Sequence, residues 1–136
     1  MALARWEVPL TEQTLRVLSI DDYDALLALW RRAGLHSLKP LGRDSRQGLA
    51  RQLATGVQTV LGLEKDDRLV GAVVATHDSR KGWINRLIVD PDHRRRGYGE
   101  RLIAAAEEVL RGQGIRVIAA LVESDNAASL ALFEKV

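Results

Sequence analysis

The chain has 136 residues, 46% of them hydrophobic and 28% charged, which fits one compact domain burying about 68% of its unfolded surface and excludes an intrinsically disordered protein. It contains no cysteine, so disulfides, thiolate metal sites and cysteine nucleophiles are excluded. A net charge of +2 falls short of the surplus expected of a nucleic-acid-binding domain.

LRVLS at residues 15 to 19 alternates apolar and polar residues and predicts a first strand. Ser19 or Asp21 is placed to cap a helix whose Tyr23, Leu26, Leu27 and Trp30 recur at helical spacing, with Gly34 as its stop. GLHSLKPLG then reads as a loop. Asp44, followed three residues on by Gln47, has the form of a capping box and predicts a short helix with Leu49 and Leu53 inward. VQTVLGLE and LVGAVVAT, joined by the polar turn KDDR, predict a hairpin. WINRLIVD predicts a further strand, ended by Pro91.

Beyond three consecutive arginines, Leu102, Ala105, Ala106, Val109 and Leu110 mark an amphipathic helix, and GQG at residues 112 to 114 stops it. IRVIAALV is an almost continuous apolar run, the pattern of a strand buried on both faces. SDNAASLALFEKV opens on capping residues and predicts a last helix. The order is strand, two helices, three strands, helix, strand, helix, an α/β (α+β) chain with no internal repeat.

His36, His77 and His93 stand far apart with no paired spacing, so no metal site is expected. No uncharged apolar run reaches the roughly 18 residues of a membrane span, and MALARWEVPLTEQT lacks a signal peptide's apolar block. A cytoplasmic protein without a membrane partner is expected.

The stretch that carries chemistry is VDPDHRRRGYGERL. Three adjacent arginines repel one another unless an anion meets them. A helix start offers unpaired N–H groups and the positive end of its dipole, and glycines let a bulky pyrophosphate approach that backbone. Arginine adds bidentate donors. A dinucleotide fingerprint needs a third glycine and a Walker A loop needs Gly-Lys-Ser/Thr, and both are missing here. No aromatic residues interleave with the arginines, which argues against a nucleic-acid partner.

LIVDPDHRRRGYG resembles the acetyl-coenzyme A signature of the GNAT superfamily of N-acetyltransferases, Gln/Arg-x-x-Gly-x-Gly/Ala between a strand and a helix. Arg94, Gly97 and Gly99 fill its fixed places. NAASLALFEKV is similar to the superfamily's next motif, an asparagine opening a helix with a tyrosine seven residues later. The resemblance spans roughly residues 15 to 136 and has the flavour of the branch that acetylates ribosomal-protein N-terminal alanines. It implies a mixed, mostly antiparallel sheet flanked by helices and splayed between its fourth and fifth strands. The domain would occupy residues 1 to 136 and lack the family's C-terminal strand pair, which leaves the IRVIAALV edge open to a further strand pair or to a homodimer.

The implied activity is transfer of an acetyl group from acetyl-coenzyme A to a primary amine, at a protein N-terminus, a lysine or a small molecule, by direct attack in a ternary complex. By the resemblance, the backbone of Leu87, Ile88 and Val89 lines the acetyl group and the pantetheine arm. Arg94, Arg95, Arg96, Gly97, Tyr98, Gly99 and Glu100 surround the pyrophosphate. Asn126 meets the pantetheine, with Ser129 and Phe133 along the same helix face. Two places depart from the pattern: Phe133 stands where the family has its proton-donating tyrosine, leaving Ser129 or water as donor, and Leu121 stands where the alanine branch has its glutamate, with Glu123 the nearest acid. Those departures keep open a non-catalytic module that senses coenzyme A thioesters. The GLHSLKPLGRD loop is expected to face the acceptor.

Overall fold

The computed structural model describes residues 13 to 121. Strand β1 (Gln13–Val17) leads through a short 3-10 turn (Ile20–Asp22) into helix α1 (Tyr23–Arg32), and a loop then reaches helix α2 (Arg46–Ala54). Strands β2 (Gln58–Lys65), β3 (Arg68–His77) and β4 (Lys81–Val89) follow. A second 3-10 turn (Pro91–His93), helix α3 (Tyr98–Gly112) and strand β5 (Val117–Leu121) complete the order. The helix expected over SDNAASLALFEKV, and with it Glu123, Asn126, Ser129 and Phe133, falls outside the described residues.

The strands form one sheet in the order β1-β2-β3-β4-β5, antiparallel except for the β4–β5 pair. Asp66 and Asp67, at φ 53° and 61°, make the β2–β3 hairpin, a two-residue connection whose left-handed residues match the twist of the strands. Ser19 starts the first 3-10 turn, accepting from Asp21 N–H while the Asp22 carboxylate accepts from Ser19 N–H. At the other end of the chain Gly114 adopts φ 85°, Ile115 N–H reaches Leu110 C=O and Gly114 N–H reaches Arg111 C=O, so α3 closes in a Schellman motif.

Two apolar clusters sandwich the sheet. On one face Leu61, Leu63, Val73 and Ile84 pack against Tyr98, Leu102, Ala106 and Leu110 of α3. On the other, Val60, Ala72, Val74 and Ile88 pack against Leu26, Leu29 and Trp30 of α1 and Leu49 of α2. Within α1 the buried positions include Leu29, with Leu27 only partly covered, and within α3 Ile103 is buried where Ala105 and Val109 are not. Spacing places residues on a stripe about 100° wide, and the neighbouring sheet decides which of them reach its centre.

Two expectations are corrected. The cap of α2 is Ser45, whose hydroxyl accepts from Gly48 N–H at 3.0 Å. Asp44 is instead 3% exposed and engaged elsewhere. Strand β5 is not buried on both faces: Val117 is 58% exposed and Ala119 and Ala120 are exposed, with Ile118 partly buried against the α3 cluster. β5 pairs with β4 alone among the described residues, and an apolar composition does not by itself supply a layer to cover a strand. The β4–β5 register runs from Lys81↔Val117 to Asn85↔Leu121, and β4 continues to Val89 past the last of these pairs, which fits the expected splay.

Candidate functional site

The turn between β4 and α3 is anchored before it is open. Asp90, 2% exposed, follows the last residue of β4; its N–H donates to Val70 C=O, and its carboxylate accepts from Asp92 N–H at 3.0 Å and from Arg32 Nε at 2.9 Å. Arg32 also donates to Leu69 C=O, so the end of α1 is tied to the ends of β3 and β4. Burial pushes the Asp90 carboxyl up, but the Asp92 N–H and the Arg32 guanidinium outweigh it and hold the group below the usual carboxylate range. His93 stacks on Tyr98 at 6.5 Å.

From this anchor the chain turns outward. Arg94 is extended, with its Nε donating to Val89 C=O at 3.3 Å. Arg95 then takes φ 64° and Gly97 φ 80°, two left-handed residues within three positions, and turns of this kind are the ones in which successive N–H groups can form an anion nest. Gly97 is the N-cap of α3 and no side chain caps that helix start. Arg94, Arg95 and Arg96 are exposed, and none of them is paired with a carboxylate among the described residues. Tyr98 is 4% exposed with its ring in the α3 cluster, so its contribution to such a nest is its backbone. Leu87 and Ile88 are likewise buried side chains.

A second assembly lies on the opposite face of the sheet, and sequence reasoning missed it. Arg86 of β4 reaches Asp44 through Nη1 at 2.6 Å and Nη2 at 3.0 Å, across 42 positions of chain. Its guanidinium also lies 4.9 Å over the Trp30 ring, a cation–π contact. Lys39 N–H donates to the Asp44 carboxylate at 2.7 Å, and the Tyr23 hydroxyl donates to Asp44 C=O at 2.6 Å. Burial raises the Asp44 pKa, and the hydrogen bonds from Arg86 and Lys39 more than reverse it. The loop so held borders a surface hollow of about 510 Å³ lined by Leu38 to Arg43. One signal was available beforehand: an arginine inside the apolar strand WINRLIV requires an acid on another element if it is buried.

Residues 23 to 136 match the model of the acetyltransferase (GNAT) family. The chain is 31% identical over 122 residues to Acetyltransferase SG1711 of Sodalis glossinidius, covering 90% of this chain and 84% of that protein. Among solved structures it is similar to the PaiA N-acetyltransferase of Thermoplasma acidophilum in complex with coenzyme A, at TM-score 0.77 and 19% identity over 91% of this chain and 87% of that one. It is equally similar to the ribosomal-protein-alanine N-acetyltransferase of Brucella melitensis biovar Abortus, at TM-score 0.77 and 18% identity over 92% and 91% of the two chains.

Proposed function

We propose, for a chain that belongs to the acetyltransferase (GNAT) family and transfers an acetyl group from acetyl-coenzyme A to an amine, that the turn at residues 94 to 100 holds the pyrophosphate and the end of β4 receives the acetyl group. The observation that carries this reading is the uncapped start of α3, preceded by left-handed Arg95 and Gly97 and flanked by exposed arginines. Donors at a helix start favour a phosphate by up to about 2 kcal/mol per charge.

The site works by placement. Backbone groups of residues 87 to 89, held in a rigid sheet, serve the thioester carbonyl as negative charge develops on its oxygen, and the nest fixes the far end of the molecule so that the reacting carbon sits at a set depth. The incoming amine must be neutral to attack, so a base or a water relay removes its proton. Asp44 is unsuited to that work, because its carboxylate is saturated by Arg86 and Lys39 and held below the usual range. Glu123 as that relay, Ser129 as donor to the departing thiolate, and Asn126 with Phe133 along the pantetheine complete the proposed arrangement. The hollow beside residues 38 to 43 is the acceptor side, and its acceptor is a primary amine.

Labelled acetyl-coenzyme A offered with an alanyl-terminated peptide, a lysine peptide and an aminoglycoside tests the reading. Transfer to at least one amine, weakened when Gly97 is replaced by Val, is the expected result. Tight binding of coenzyme A with no transfer to any amine would instead favour the thioester-sensing module.

A further inference from the structure

Arg86 adopts φ 50° and is, among the described residues, the only non-glycine residue with a left-handed backbone inside a strand. Its position is a bulge. Val74 pairs with Asn85 and Ala72 with Ile88, so one residue of β3 faces two of β4. The extra residue reverses the alternation: Ile84 and Leu87, three positions apart, both join the α3 cluster, while Ile88 joins the opposite one. A bulge of this kind re-aims every backbone group that follows it. Here those groups belong to residues 87 to 89.

Glycine is the residue that fits this backbone without strain, so an arginine there implies a use for its side chain. That side chain is fixed at both ends of its guanidinium by Asp44 and stacked on Trp30, and Asp44 is itself fixed by Lys39 N–H and the Tyr23 hydroxyl. Net stability is a poor explanation, because a buried ion pair adds little over well-packed apolar residues of similar size. What a bidentate pair supplies is direction.

We propose that Arg86 and Asp44 are a positioning pair: the clamp locks the β4 bulge in the conformation that presents residues 87 to 89 to the acetyl group, and couples that conformation to the loop at residues 38 to 44. The inference rests on the assignment of residues 87 to 89 to the acetyl group. Neither member touches the reacting atoms.

The test compares the full chain with Asp44→Asn, Arg86→Lys and the double variant Asp44→Asn/Arg86→Gln, the last leaving no lone charge in the core if a single change fails to fold. Amide NMR follows Ile88, Val89 and residues 95 to 99 on addition of coenzyme A and of acetyl-coenzyme A. In the unmodified protein both ligands shift residues 95 to 99, and acetyl-coenzyme A alone adds a shift at Ile88 or Val89. The Asp44→Asn and double variants keep the first response and lose the second, with broadening at Ile88 from a bulge that now exchanges. In parallel, thiol release with water as acceptor is measured: water adds its oxygen to the acyl carbon, the carbon–sulfur bond breaks, and acetate, free thiol and a proton result. Turnover falls by roughly 10- to 100-fold, the scale of a misplacement near 1 Å, while KM for acetyl-coenzyme A stays within about twofold and Arg86→Lys recovers part of the loss. A merely structural pair would lower the melting temperature and leave the ligand-specific shift and turnover of the folded fraction intact, which would overturn the proposal. If coenzyme A leaves residues 95 to 99 of the unmodified protein unshifted, the cradle assignment fails and the clamp fails with it.

Discussion

Arginine is used in two opposite ways on either side of the end of β4. At residues 94 to 96 three guanidiniums stand in solvent beside an uncapped helix start, with no carboxylate paired to them among the described residues. At Arg86, a few residues earlier, one guanidinium is enclosed and neutralised by Asp44 at 2.6 and 3.0 Å. The first group carries no counter-charge among the described residues, and the proposed function gives it an anion to receive. The second directs both Nη atoms to one buried carboxylate and holds its surroundings in place. The difference lies in what surrounds each arginine, since the side chain is the same.

Breaking the enclosed pair from one side has the largest expected effect. Asp44→Ala leaves the Arg86 guanidinium, 18% exposed, without its counter-charge, and removal of one partner of a buried pair costs about 3–5 kcal/mol. Urea unfolding measures it, and the double variant Asp44→Asn/Arg86→Gln recovers a good part of the loss. A matching change at the exposed cluster leaves unfolding unaltered, so equal costs at the two places would erase the contrast.

Acid is the second way to separate the regions. Asp44 and Asp90 both have folded pKa values below the ordinary carboxylate value. The unfolded chain therefore binds more protons than the folded one between the two values, and the stability these groups confer is complete above about pH 4 and lost as pH falls through their depressed folded values. Asp44→Asn and Asp90→Asn each flatten that acid limb in a pH series of unfolding curves. Arg95→Ala does not.

Gly97→Ala is expected to be smaller and cleaner. An added Cβ at Gly97 meets nothing within 4 Å, but the residue sits at φ 80°, so the cost is backbone strain of roughly 1–2 kcal/mol without a packing term. Coenzyme A affinity falls further than stability does, because the nest reshapes as the strain is relieved. Calorimetry beside thermal unfolding separates the two effects.

The smallest change is Arg95→Ala. With the side chain exposed and unpaired, its loss weakens coenzyme A binding by about 0.5–1 kcal/mol, and the gap closes as salt rises past roughly 0.1 M. A titration at low and high ionic strength checks it. A salt-independent loss would place Arg95 among the structural arginines.

What the sequence by itself determined is what is local. The hairpin at Asp66–Asp67, the helix stop at Gly114 and the RRRGYG turn each depend on a few adjacent residues whose backbone preferences and charges add up in place. The expectation of an anion site at that turn could be formed from sequence because such a site at a helix start is assembled from one contiguous segment. Tertiary structure decided the rest. Asp44 follows the rule for a helix cap in its own neighbourhood, yet the fold gives the cap to Ser45 and sends Asp44 to an arginine 42 positions away. IRVIAALV has the composition of a buried strand, yet Val117 is 58% exposed. In α1 the sheet selected Leu29 over Leu27 for the core. The physical reason is common to all three: burial and charge pairing depend on what arrives from elsewhere in the chain, and no window of sequence contains its own neighbours in space.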